Sequence, residues 1–154
     1  MKDAVLGTLK EDKHIAHMLI GTILHKYRKV KLTISLEGEA LENCLEWARE
    51  AVGDLKRIDD LAKQAACEHL LPLYNENWRE YEQSDGRGAW EIISNPILTL
   101  DEIRSEFRLS TFQVEGVDSL CLWYSDGDLF GGHDVVVSSS ERMNFDDLTV
   151  NLWG

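Results

Sequence analysis

Asp126, Asp128, His133 and Asp134 place four groups able to bind a metal or move a proton within nine residues. They lie in the run Leu122-Trp123-Tyr124-Ser125-Asp126-Gly127-Asp128-Leu129-Phe130-Gly131-Gly132-His133. Carboxylates beside an imidazole form a cation site or an acid/base pair when their side chains converge. Asp126-Gly127-Asp128 also matches the opening of a calcium loop, but the later ligands and the closing Glu are missing. A conformational reading competes with the chemical one. Asp-Gly between two apolar runs is a strong hairpin signal, because a two-residue mirror-image turn needs left-handed backbone at both central positions. Asp bonds its own backbone in such turns, and Gly131-Gly132 frees the chain for a bulge. The expectation is therefore a structural motif of Asp126, Gly127, Asp128, Gly131, Gly132 and His133, with no catalytic residue and no metal. The alternative is a metal-dependent or hydrolytic enzyme that uses Asp126, Asp128 and His133.

Other catalytic templates fail. There is no phosphate-binding glycine loop, no Gly-x-Ser-x-Gly elbow, no His-Glu-x-x-His and no dinucleotide fingerprint. His14 and His17 are three apart near a strand start and point to opposite faces. His25 and His69 read as lone histidines. Cys44, Cys67 and Cys121 are odd in number and form no Cys-x-x-Cys, which suits reduced, buried thiols. No cofactor is expected.

Charge is the strongest compositional signal. The net charge is −12, and it is uneven: residues 1–38 carry seven Lys/Arg and four Asp/Glu, whereas residues 39–154 carry nine and 24. Such an acidic surface repels nucleic acid and anionic membranes and steers a basic protein toward itself. No apolar run approaches the roughly 20 residues that span a bilayer. The chain opens Met-Lys-Asp without a signal-peptide pattern, so a cytoplasmic location is expected.

These groups must be positioned by a single α+β domain over 1–154. The expected sheet is antiparallel, an N-terminal meander plus C-terminal strands, with two or three helices packed on one face. Strands are expected at 4–10, 17–24 and 30–36, where Val30, Leu32, Ile34 and Leu36 alternate with Lys31, Thr33 and Ser35. The basic connector 25–29 between the last two reads as a solvated tip, although it could touch phosphate. Apolar residues at helical spacing predict helices at 40–52 and 54–71, with Pro72 ending or kinking the second. Residues 75–96 read as a loop pinned by Trp78, Tyr81 and Trp90. Thr99 with Glu102 matches a capping box and starts a short helix to about Phe107. Strands follow at 109–114, 120–125, 133–138 and 148–152. The five tryptophans read as core or core-rim residues, with Trp78 and Trp90 the best placed to anchor a partner.

Gly7-Thr8-Leu9-Lys10, Asn75-Glu76-Asn77-Trp78 and Tyr124-Ser125-Asp126-Gly127-Asp128-Leu129-Phe130-Gly131-Gly132-His133 resemble a bacterial family catalogued only as a domain of unknown function. Some of its members are regarded as immunity proteins of polymorphic or contact-dependent growth-inhibition toxins. The resemblance implies a protein that binds a cognate toxin domain and occludes it, and it implies no catalytic residue. The charge suits a basic toxin such as a nuclease. The acidic candidates for contact are Glu42, Glu46, Glu50, Asp59, Asp60, Asp101, Glu102, Asp146 and Asp147. A general regulatory protein-binding module is a further alternative.

Overall fold

Alternation at Val30, Leu32 and Ile34 buries one side of a strand, and these three side chains are buried in the computed structural model, which describes residues 1–154. They belong to β5, Arg28–Ser35, which pairs antiparallel with β4, Met18–His25, along its whole length. The turn between them is only Lys26-Tyr27, at φ 47° and 63°. This is the mirror-image turn that fits strand twist, built here without glycine or asparagine.

The expected first strand is broken. It is split into β1, Lys2–Asp3, β2, Gly7–Thr8, and β3, Lys10–Glu11. Asp3 Oδ1 accepts from the Val5 and Leu6 N–H groups, and Gly7 takes φ 77°. That local turn chemistry competes with a continuous ladder. β1 and β2 pair with each other, and only β3 joins β4 in the main sheet.

Two helices follow as the spacing predicts, α1, Leu41–Gly53, and α2, Leu55–Leu73, separated by Asp54. α2 ends one residue beyond Pro72 and closes in a π-helical turn over Tyr74–Trp78. The segment expected as loop contains a hairpin, β6, Glu80–Ser84, and β7, Trp90–Ser94, paired only with each other. α3, Leu100–Glu106, starts at the predicted capping box: Thr99 Oγ1 accepts from Glu102 N–H at 3.3 Å, and Glu102 Oε2 accepts from Thr99 N–H at 2.7 Å.

The C-terminal strands form a meander of β8, Arg108–Glu115, β9, Ser119–Ser125, β10, Asp134–Ser139, and β11, Thr149–Trp153. The seven-stranded sheet has the order β11-β10-β9-β8-β5-β4-β3. It is antiparallel except at one joint, where β5 and β8 run parallel from Lys31↔Thr111 to Ser35↔Glu115. A parallel joint needs a crossover, and residues 36–107, with all three helices, supply it. Phe112, Val114, Leu120, Leu122, Val135 and Val137 on the sheet share one core with Leu45, Trp47, Ile58, Ala62 and Leu70 on the helices. The other face keeps Lys31 exposed and carries Trp123 against Trp153, which is 66% exposed and so is not a core residue.

The link between β9 and β10 is not the two-residue turn expected at Asp126-Gly127. It spans 126–133, and the left-handed residues are Gly127 (φ 64°) and Asp128 (φ 70°), then Gly131 and Gly132. Asp126 is buried, and its carboxylate accepts from the Asp128 N–H at 2.9 Å and the Phe130 N–H at 2.6 Å. Phe130 is fully buried and packs edge-on to Tyr74 and Trp78. A Cβ at Gly127 would press on the Glu106 carboxylate. Gly127→Val should therefore destabilise the fold by about 1–3 kcal/mol, through left-handed strain and that clash. Thermal unfolding checks this, and an unchanged midpoint contradicts the assigned turn.

Candidate functional site

The Asp126–His133 stretch is occupied by its own backbone. Both Asp126 oxygens are taken up by the turn. His133 Nδ1–H donates to the Phe130 carbonyl at 2.6 Å, and its ring lies edge-on to Trp78. Asp128 and Asp134 point to solvent. No group of three or more His, Cys, Asp or Glu is arranged to hold a metal ion. The stretch shapes a loop that covers the end of α2. Cys44 and Cys67 are buried free thiols. Cys121 is half-buried, and burial, with Glu115 beside it, pushes its thiol up to about 12.

The acidic candidates separate into groups. Glu42, Glu46 and Glu50 recur every fourth residue along the exposed side of α1. Arg49 joins Glu42 to Asp3. Arg142, in the β10–β11 connection, bonds Glu50 through Nε at 2.8 Å and covers the ring of Trp47. It thereby pins to α1 the loop that carries the exposed Asp146 and Asp147. Asp101 and Glu102 are exposed in the first turn of α3, with the Glu102 carboxylate engaged in the cap. Asp60 lies between Lys26 and Arg104. Trp78 is half-buried beneath the 126–133 loop, whereas Trp90 is 69% exposed on β7.

Asp59 does not belong with the exposed acids. It is 1% exposed and sits on the core side of α2. Tyr124 Oη donates to its Oδ1 at 2.8 Å. The Lys26 ammonium and His25 Nε2 reach its Oδ2 at 2.7 and 2.9 Å. His25, expected to be alone, is thus bound across the fold. Burial works to raise the Asp59 carboxyl, but hydrogen bonds from Lys26 and His25, the charge of Lys63 and the Tyr124 hydroxyl together hold it below the ordinary carboxylate range. Burial, with the Asp59 charge beside it, drives Tyr124 far above the usual phenol value. The sequence does hold one sign of this cluster: Leu55, Asp59, Ala62 and Ala66 fall on one helical stripe, so the acid interrupts an apolar face.

Residues 3–150 match the family model described as an uncharacterized protein conserved in bacteria, DUF2262. The chain belongs to the DUF2262 family. The DUF2262 match takes in all three helices, the β6–β7 hairpin and the Asp59 cluster. Neither a curated protein nor a solved structure matches the chain. No helix is long and apolar enough to cross a membrane.

The Asp59 cluster generates a pH-dependent prediction. A carboxyl held below its unfolded value stabilises the fold above that value, and the stabilisation disappears as pH falls through the folded value. Tyr124→Phe removes one of the donors that keep Asp59 ionised. It should cost about 1–3 kcal/mol at neutral pH and move acid unfolding to higher pH. Circular dichroism across an acid titration checks both, and an acid transition identical to wild type contradicts the role given to Tyr124.

Proposed function

We propose that the chain is a binding protein that neutralises a basic protein partner in the cytoplasm. The partner is the toxin domain implied by the family resemblance, and the chain acts by covering its working surface. The observation that carries this reading is the β6–β7 arm. Every residue from 80 to 94 except Ile93 is exposed, and the two strands pair with nothing else. Tyr81, Trp90 and Ile92 are 47%, 69% and 74% exposed. These side chains contribute almost nothing to the core, so folding alone does not account for them.

Trp90 and Ile92 are two apart on β7 and share a face. Their cross-strand partners are Ser84 and Glu82. Glu80, Asp85 and Glu91 add further acidic groups to the arm. An exposed tryptophan on an arm rich in carboxylates suits a partner with an apolar pocket and a basic rim. The exposed acids of α1 and of the 140–148 loop extend the same sign of charge, which favours fast capture of a basic protein. A nuclease toxin has that charge, because its own surface must attract phosphates. The same acidic exterior disfavours nucleic acid and anionic membranes as partners.

Growth protection tests the proposal. Cells expressing a toxin domain found encoded beside this chain's gene should grow when the wild-type chain is co-expressed, and a neighbourhood with no such domain contradicts the proposal. Trp90→Ala should weaken binding by on the order of thirtyfold and lose protection, with an unchanged melting midpoint. Full protection by Trp90→Ala, or no protection by the wild-type chain, contradicts the proposal.

A further inference from the structure

The basic connector at 25–29 ends at the mouth of a cleft of about 370 Å³ between the β4–β5 turn, α2 and the start of β8. In a chain of net charge −12, five cations border this one space: Lys26, Arg28, Lys63, Arg104 and Arg108. The carboxylates among them are Asp59 at its floor and Asp60 beside it. Lys26 satisfies Asp59 at 2.7 Å and reaches Asp60 at 3.2 Å, and Arg104 lies 3.6 Å from Asp60. Arg28, Lys63 and Arg108 make no ion pair.

Lys63 is the most telling of the three. It is half-buried, with its ammonium 6.0 Å over the Tyr124 ring. Desolvation lowers its pKa, the Asp59 charge opposes that shift, and Lys26 and Arg104 add to it. A cation held under such conditions is stabilised by an incoming anion. The tight β4–β5 turn supplies residues to the cleft. Lys26 and Tyr27 both hold left-handed backbone that disfavours side chains, and Tyr27 is 98% exposed, so its packing gives nothing back. What the turn does is set His25 and Lys26 on Asp59 and Arg28 at the cleft wall.

We propose that this cleft binds a phosphorylated small molecule, with its phosphate held by Arg28, Lys63 and Arg108. Three unmatched positive charges suit a phosphate dianion better than a single carboxylate. Guanidinium forks meet phosphate oxygens in pairs. The cleft falls in the roughly 300–1,000 Å³ range of small-molecule sites, which leaves room for an organic portion beside Val30 and Phe107. The site is distinct from the β6–β7 arm and does not rest on the toxin-binding reading.

Isothermal titration calorimetry of the full chain with inorganic pyrophosphate, at physiological ionic strength, is the test. The expected result is saturable one-site binding of pyrophosphate and none of acetate. Arg108→Gln, at an exposed position, and Lys63→Met should each weaken binding by on the order of tenfold. Lys13→Gln, at an exposed lysine outside the cleft, should bind as wild type. No saturable heat, equal binding of acetate, or wild-type affinity in Arg108→Gln would each overturn the proposal.

Discussion

Burial alone would keep the Asp59 carboxyl protonated, yet three donors from two other parts of the chain converge on it and hold it ionised. The consequence reaches across the sheet. β3, β4 and β5 form one antiparallel unit and β8 to β11 another, and they meet at the single parallel joint of β5 with β8. Asp59 comes from the helical crossover between the two units. Through His25 and Lys26 it holds the end of the first, and through Tyr124 it holds the second strand of the other. Removing one partner from such a buried ionic cluster leaves charge uncompensated, which is far costlier than losing a surface pair. The clamp therefore secures the joint that the backbone ladder leaves dependent on a long crossover.

The same clamp divides the molecule's charge. Lys26 and Arg104 are drawn in over Asp59 and Asp60, and beside them Arg28, Lys63 and Arg108 line the same cleft without an ion pair. The exterior keeps its acids on α1, on the 140–148 loop and on the β6–β7 arm. Like charges on an exposed surface are well solvated and cost little. Cations crowded into a cleft are poorly solvated and gain from a counter-charge. The two proposals therefore place ligands of opposite charge on two separate regions of the molecule.

Local physics was legible in the sequence wherever one face of an element is buried. Val30, Leu32 and Ile34 marked β5, helical spacing marked α1 and α2, and Thr99 with Glu102 marked the start of α3. The β6–β7 hairpin was not legible because both its faces are solvated, so no period-two polarity was imposed on its sequence. The first strand reads as continuous over 4–10, but Asp3 and Gly7 impose turns that break it into short pieces. Asp126-Gly127 reads as a two-residue turn, but the link runs on to His133 with Phe130 packed edge-on to Trp78 and Tyr74, a contact that no local pattern encodes. The partners of Asp59 lie 34, 33 and 65 residues away. Such a site has no spacing motif, and an acid on the apolar stripe of α2 was its only trace.

The account stands on Asp59 being an ionised clamp. A carbon-13 NMR titration of its carboxyl group measures this directly. The account predicts titration below the ordinary aspartate value of about 3.9, with loss of native structure following its protonation. Titration at or above that value, in a protein that stays folded, would show that burial outweighs the three donors and would contradict the clamp.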